Sequence, residues 1–193
     1  MTTSVGHSDE AGVVESLFAD YLGLVDDLQA KSPSGLSALN SVYSKALLIA
    51  SASNLEFEVR RLLEEAVTER GGIEIGEFVR QTALARGYHG LIDWETGQAT
   101  KLFATFGKEC KKRFKEYAKS EAADGRQRAF VELGSERNSL VHNDFARQNL
   151  IKSPEEIMEL HRLASQFVRD IESIIFSVTR PMAEPGSASG ASG

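Results

Sequence analysis

The chain has 193 residues and a formal net charge of −6, so it is long enough to form one domain with a sizeable hydrophobic core. Its single cysteine, Cys110, excludes an internal disulfide and a zinc site built from several cysteines. The N-terminus lacks the basic and then apolar pattern of a secretory signal, and no apolar run approaches the ~18 residues of a membrane span, so we expect a cytoplasmic protein with no membrane partner.

Prolines mark the limits of the long helical part of the chain, because proline disrupts the interior of a helix. The chain has four of them: Pro33, Pro154, Pro181 and Pro185. Residues 34–153 therefore contain no proline, and apolar residues recur there at helical spacing without convincing strand alternation. We predict an all-α bundle of about five to six helices.

Three predicted helices occupy the first half of the chain. The first covers about residues 10–30, and the second covers about residues 35–69. The second ends at Gly71 and Gly72, because glycine readily adopts the left-handed conformation that follows a helix. A third helix covers about residues 75–86, and the loop "GYHGLIDWETG" separates it from the second half of the chain.

The fourth predicted helix, about residues 96–119, carries aromatic residues on one face and lysines on the other. The lysines are Lys101, Lys108, Lys112, Lys115 and Lys119. From Lys101 to Arg128 there are nine Lys or Arg residues and four Asp or Glu residues, a local positive excess in an acidic chain. Two interpretations explain this pattern equally well. The lysines form an ordinary solvated face, or they form a surface that guides RNA, in which Lys108, Lys112 and Lys115 would bind the RNA.

The fifth predicted helix, about residues 126–142, combines an apolar stripe with polar side chains. The stripe consists of Phe130, Leu133, Leu140 and Val141. Arg137 falls in the middle of it, although a guanidinium in a core register is costly unless it is paired or faces something other than a dry interior. Asn138 and His142 are neighbours on the flank of the same stripe, because residues four apart share a helix face.

The sixth predicted helix begins at a capping box of Ser153 and Glu156, with Pro154 at its first position. From Pro181 onward, "PMAEPGSASGASG" has no apolar periodicity, and its last eight residues are either native or added in cloning. We therefore divide the chain into three parts. These are a flexible N-terminus at residues 1–9, a helical domain at residues 10–180 and a disordered tail at residues 181–193.

Arg137, Asn138 and His142 allow a structural and a functional interpretation. In the structural one, Arg137 pairs with a buried carboxylate and His142 is a hydrogen-bonded histidine at a helix end. In the functional one, an imidazole with an ordinary pKa of ~6.5 transfers protons at neutral pH, and a planar guanidinium binds phosphate oxygens. Short motifs arise readily by chance, so the local pattern does not decide between them.

The sequence around these residues adds evidence to this short pattern. "ERNSLVH" resembles the Arg-Asn-x-x-x-His signature of the HEPN superfamily, small α-helical domains that include many metal-independent ribonucleases of toxin, antiphage and stress systems. "LLIASASNLEFEVRRLLEEA" is similar to the family's early helix, and "DWETGQATKLFATFG" resembles a segment of the RiboL-PSP-HEPN branch. Asn143 replaces a glycine that many members have after the histidine, and we expect it to keep the helix exit because asparagine tolerates the left-handed conformation.

The resemblance implies a HEPN-like bundle that forms a two-fold homodimer, with a composite site between the two copies. His142 would act as general base or acid on the ribose 2′-hydroxyl and the leaving oxygen, Arg137 would bind the scissile phosphate, and Asn138 would orient the histidine or the phosphate. Glu56 would support these groups or form an ordinary structural ion pair. The implied reaction is a transesterification that leaves a 2′,3′-cyclic phosphate and a 5′-hydroxyl, without a metal ion or a cofactor.

Two classes of function follow from this resemblance. The first is an endoribonuclease that acts on RNA as a toxin or as an antiphage or stress effector, restrained by an antitoxin or regulatory partner protein. The alternative is a catalytically silent HEPN module that dimerises and binds RNA, a nucleotide or a partner protein, since a fold alone does not decide activity. Joint retention of Arg137, Asn138 and His142 favours the enzyme, because a binding module has no need of a proton-transfer group.

Overall fold

The computed structural model describes most of the chain. The described residues are 11–29, 31–85, 87–94, 96–143, 145 and 149–176, without the side chains of Ala11 and His89. The predicted flexible N-terminus at residues 1–9 and the predicted tail at residues 181–193 lie outside them.

Helices account for most of the described residues, which confirms the all-α prediction. They are α1 (Ala11–Gln29), α2 (Pro33–Gly71), α3 (Ile73–Val79), α4 (Tyr88–Leu91), α5 (Thr100–Thr105), α6 (Lys108–Tyr117), α7 (Glu121–His142) and α8 (Pro154–Ile175). A π-helical turn, Arg80–Leu84, continues α3. Within the described ranges, extended pairing is limited to one isolated bridge between Asp93 and Gln98. No helix among these combines the length and apolarity that crossing a bilayer requires.

The core of the bundle lies between α2, α7 and α8. Its largest fully buried side chains include Leu47, Leu63, Phe103, Leu133, Phe167 and Ile171. Tyr21 of α1 donates its hydroxyl to Asn40 of α2 and Glu155 of α8, at 3.0 and 2.9 Å, near the beginning of both helices. Near the ends of the same two helices, Arg70 of α2 and Glu172 of α8 form an ion pair at 3.4 Å. Therefore α2 and α8 run in the same direction.

The motif helix α7 runs antiparallel to α8. Arg126, near the start of α7, pairs with Asp170 near the end of α8 at 3.0 Å. At the other end, Lys152 pairs with Glu132 at 2.7 Å and also with Glu136, just before α8 begins. The two helices are therefore tied together at both ends, and the last turn of α7 lies beside the first turn of α8.

The predicted start of the last helix is confirmed. The backbone of Glu156 donates to Ser153 Oγ at 3.2 Å, and the backbone of Ser153 donates to Glu156 Oε2 at 2.8 Å. This is the reciprocal capping box that the "SPEE" sequence predicts, with Pro154 at the first helical position.

The prediction of a single helix over residues 96–119 is wrong. The chain forms two helices there, α5 and α6, because Gly107 between them has φ +98°, a left-handed conformation that ends a helix. The lysines of this region therefore do not share one continuous face. Lys101 belongs to α5, whereas Lys108, Lys112 and Lys115 belong to α6.

A buried histidine makes the stability of this bundle depend on pH. His161 of α8 is 2% exposed, its Nδ1 has no hydrogen-bond partner among the described residues, and its Nε2 lies 4.0 Å from Glu15 of α1. Burial lowers the pKa of His161, with Glu15 acting in the opposite sense and Arg162 adding to the decrease. The unfolded chain therefore binds this proton more tightly than the folded one.

We expect the free energy of unfolding to decrease as the pH falls below the ordinary histidine pKa of ~6.5 and on through the lower pKa of folded His161. Replacing the imidazole by His161→Leu removes this contribution. Urea unfolding at about pH 7.5 and about pH 5 measures the effect. The wild type should lose more stability than the variant on acidification, and an equal loss in both would show that His161 is not the cause.

Candidate functional site

The three motif residues lie in the last two turns of α7. Arg137 and Asn138 are partly buried, and Arg137 Nη1 donates a hydrogen bond to Asn138 Oδ1 at 3.1 Å. His142 is exposed and is the last residue of the helix. The amide is neutral and no carboxylate of the described residues forms an ion pair with Arg137, so the guanidinium keeps its capacity to bind an anion.

The predicted apolar stripe of α7 is only partly correct. Phe130, Leu133 and Leu140 are buried, but Val141 is 52% exposed. Val141 follows Arg137 by four residues and so shares its side of the helix, which is the side that faces an open cleft rather than the core. The last turn of α7 therefore presents an apolar side chain next to His142.

This cleft, which we call the Arg137 cleft, has a volume of about 670 Å³. Its walls come from α7, from the loop after α4 and from α5. The residues that line it are Ile92, Asp93, Trp94, Lys101, Ser135, Arg137, Asn138, Val141 and His142. The fold thus brings all three motif residues to one concave surface, together with Lys101.

A small pocket of about 10 Å³ adjoins the Arg137 cleft and shares Trp94, Arg137 and Asn138 with it. Its polar lining is formed by Glu56, Tyr88, Arg137 and Asn138. Its size corresponds to about one water molecule, and the lining offers the two to four polar partners that a buried water requires. Glu56 therefore lies near Arg137, but its ion pair within the described residues is with Arg60, at 3.7 Å.

Tyr88 is a residue of this region that sequence reasoning missed. Its side chain is buried, and burial raises the pKa of its hydroxyl far above the usual range. The nearby charge of Glu56 raises this pKa further, whereas Arg60 and Arg137 act in the opposite direction. The phenol is therefore neutral at physiological pH and lies within the electrostatic reach of the motif arginine.

Trp94 fixes the loop after α4 onto the motif helix. A Cβ atom at Gly134 would lie only 2.0 Å from Cζ3 of Trp94, so the six-membered ring occupies the space that a side chain would need. The indole also contacts the rings of Phe130 and Tyr88, with centroids 6.2 and 6.4 Å away. Since Gly134 precedes Arg137 by three residues, this contact sets the wall of the Arg137 cleft one turn from the guanidinium.

The helix exit after His142 differs from the expectation. Asn143 has φ −98° and ψ 174°, which is extended rather than left-handed backbone. Its side-chain amide donates to the carbonyl oxygen of Ser139 at 2.8 Å and to Ser139 Oγ at 3.2 Å, and so caps the end of α7. The exit therefore depends on the amide of asparagine and not on tolerance of positive φ.

The lysines singled out on α6 are exposed but lie away from the Arg137 cleft. Arg113 of α6 donates to the carbonyl oxygens of Ile174 and Ile175 at 2.8 and 2.7 Å, which places α6 at the end of α8. That end lies beside Arg126, which is separated from His142 by ~24 Å along α7 at ~1.5 Å per residue. The structure thus places Lys101 in the cleft and leaves Lys108, Lys112 and Lys115 at the other end of the bundle.

Comparison with known proteins assigns the chain to a family. A family model described as RiboL-PSP-HEPN matches residues 16–177. The chain belongs to this family, whose HEPN domains often bind RNA and dimerise. No curated protein and no solved structure shows a significant match to the chain.

Within the described residues, no three His, Cys, Asp or Glu side chains form a group that could hold a metal ion.

Two glycines of α7 provide a matched test of the Trp94 contact. Gly134→Ala should displace the indole and cost about 1–3 kcal/mol, as insertion into a packed site does. Gly125→Ala should stabilise the protein by about 0.5–1 kcal/mol, because a Cβ there meets nothing within 4 Å and alanine is the better helix former.

Urea unfolding measures both free energies, and the emission spectrum reports the displacement directly, because Trp94 is the chain's one tryptophan. If Gly134→Ala were as stable as Gly125→Ala and left the emission unchanged, the close contact between Trp94 and α7 would be refuted.

Proposed function

We propose that the protein is a metal-independent endoribonuclease that cleaves RNA by transesterification at the Arg137 cleft. The observation that carries the proposal is that a guanidinium hydrogen-bonded to a neutral amide and an exposed imidazole line the same cleft. In a member of a HEPN family, these are the groups that phosphodiester cleavage by a 2′-hydroxyl requires.

The chemistry needs one proton acceptor, one proton donor and a cation at the phosphate. The imidazole takes the proton of the ribose 2′-hydroxyl as its oxygen attacks phosphorus, and the imidazolium formed in this way gives that proton to the 5′-oxygen as the bond from phosphorus to that oxygen breaks. Arg137 stabilises the negative charge that develops on the phosphorane oxygens. The products are a 2′,3′-cyclic phosphate and a 5′-hydroxyl.

One copy of α7 provides these groups in an unfavourable arrangement. Arg137 and His142 are five residues apart, which separates them by ~140° around the helix and ~7.5 Å along it. We propose that two copies pair about a two-fold axis across this surface, so that the guanidinium of one copy and the imidazole of the other approach the same phosphate. Val141 and Phe145, on either side of His142, are 52% and 47% exposed and offer apolar surface for such an interface.

The proposed biological role follows from the lack of a required cofactor. An endoribonuclease that needs only RNA and its own side chains is active as soon as it folds and dimerises. Such an enzyme endangers the cell that makes it, so we propose a toxin or an antiphage or stress effector that an antitoxin or regulatory protein holds inactive. Growth arrest on expression that disappears in His142→Ala would support this role, and normal growth with active protein would contradict it.

The central prediction concerns RNA cleavage by purified protein in excess EDTA. Wild type should cut total cellular RNA, whereas Arg137→Ala and His142→Ala should each lose about 100-fold or more in rate, the usual contribution of a positioned proton-transfer group or charge stabiliser. Mass spectrometry of the fragments should find cyclic-phosphate ends. All versions must first have the same helicity and oligomeric state. Cleavage by none of them would support the silent module, and equal cleavage by all would indicate another site or a contaminant.

The same two variants test the shared site. When Arg137→Ala and His142→Ala chains are mixed and allowed to exchange, about half of the dimers are mixed and each has one intact pair, so about a quarter of wild-type activity should return. A site contained within one chain would give no recovery. The matched control is each variant mixed with itself.

We also propose that the α6 lysines add a weak, non-specific attraction for RNA. Replacing Lys108, Lys112 and Lys115 by glutamate should lower RNA affinity at low salt and reduce the slope of log affinity against log salt by up to about 2, at ~0.7 per contact with a single strand. Filter binding over a range of salt concentrations measures this. Unchanged affinity at low salt would show that these lysines form a merely solvated face.

A further inference from the structure

The Arg137 cleft has an excess of positive charge in an acidic protein. Arg137 and Lys101 are both cations, and Asp93 is the one carboxylate among the described residues that line the cleft. The Lys101 side chain is exposed and forms no hydrogen bond or ion pair with any described residue. An ammonium without a described partner, in the same cleft as a guanidinium, suits a ligand with more than one negative charge.

The same cleft contains an aromatic ring that is held in place from behind. The six-membered ring of Trp94 is seated against Gly134 and contacts Tyr88 and Phe130, yet the side chain is only partly buried and borders the cleft. A fixed indole loses little conformational freedom when a flat ligand stacks on it. Nucleobases are such ligands, and every base has a π-face that can stack on tryptophan.

Trp94 borders a second cleft in addition to the Arg137 cleft. A second cleft of about 500 Å³ adjoins the Arg137 cleft, and the two share Trp94 and Ser135. Both volumes fall within the ~300–1,000 Å³ of small-molecule sites. The second cleft is lined by Asp124, Glu132 and Glu136, with Arg128 as the one cation among its described lining residues, so it offers room beside the indole but no excess of positive charge.

We propose that Trp94 and Lys101 form a nucleotide subsite next to the scissile phosphate. In this subsite the indole stacks on an unpaired base, and the ammonium binds the phosphate that flanks the one at Arg137. The subsite deepens the proposed ribonuclease function and rests on it for the position of the scissile phosphate. It selects single-stranded RNA, because a base within a duplex presents no free face to the indole, and stacking alone gives little preference among the four bases.

The fluorescence of Trp94 provides a direct assay, because no other tryptophan contributes to the signal. Short 2′-deoxyoligonucleotides lack the attacking hydroxyl and so bind without being cleaved. Titration of wild type with these ligands should quench the emission in a saturable manner. An abasic oligonucleotide with the same number of phosphates should bind more weakly and leave the emission nearly unchanged. Equal quenching by the abasic ligand would refute stacking.

Variants separate the two parts of the subsite. Lys101→Ala should weaken oligonucleotide binding by about tenfold, whereas Lys31→Ala, which removes an exposed lysine between α1 and α2, should have little effect at moderate salt. With a dye-labelled oligonucleotide read by polarisation, Trp94→Phe should bind nearly as well as wild type and Trp94→Leu about tenfold more weakly. Equal binding by Trp94→Phe and Trp94→Leu, each checked for folding by circular dichroism, would overturn the role of the ring.

RNA cleavage in parallel samples distinguishes failure of the subsite from failure of the proposed function. Cleavage without quenching, and without loss of affinity in Lys101→Ala, would refute the subsite and leave the ribonuclease standing. Saturable quenching that depends on Lys101, without any cleavage, would establish the subsite in a protein that binds nucleic acid and refute the ribonuclease.

Discussion

The constraint on which the rest of the structure depends is that one helix serves the core and the site at the same time. α7 buries Phe130, Leu133 and Leu140 between α2 and α8, and on another side carries Arg137 and Asn138. These requirements fix the rotation of the helix about its own axis. A turn that exposed the guanidinium more fully would withdraw leucines from the core, and a turn that buried it would leave a charge in an apolar interior.

Contacts from outside α7 then determine what surrounds its polar side. The missing side chain at Gly134 allows Trp94 to approach the helix, and the loop held in this way supplies the near wall of the Arg137 cleft. Glu56 and Tyr88 enclose the inner side of the guanidinium without forming the ion pair that would neutralise it. Among the described residues the arginine thus has a neutral hydrogen-bond partner and no direct ion pair, an arrangement suited to anion binding.

The sequence predicted the features that local physics determines. Helical spacing and the Ser153 capping box give the all-α class and the start of α8, and the position of His142 at the end of α7 follows from the same pattern. The errors arise where a local signal has two outcomes. A glycine within a helical pattern is either tolerated or ends the helix, and at Gly107 it ends it. Asparagine after a helix either turns left-handed or caps through its amide, and Asn143 does the latter.

Features that depend on distant parts of the chain could not be predicted from such patterns. The contact between Trp94 and Gly134 joins residues 40 positions apart, and nothing in either local segment indicates it. The sequence pattern places Tyr88 in a loop, and only the fold shows that its side chain is buried near Glu56. Lys101 looked like one of several surface lysines, and only the separation of α5 from α6 distinguishes it from the others.

The separation of α5 from α6 also means that the lining of the Arg137 cleft depends on Gly107, a residue that does not itself line the cleft. The left-handed bend at Gly107 separates α5 from α6, so that α5 brings Lys101 to the cleft while α6 remains docked on the end of α8, with Phe103 and Phe114 stacked between the two helices at 4.3 Å. Gly107 thus determines how α5 is placed relative to α6, and so where Lys101 enters the cleft. Because Leu102 and Phe103 of the same helix are fully buried, a substitution at position 101 would change the charge of the cleft and leave the core intact, whereas a change in the length of α5 would displace both buried side chains.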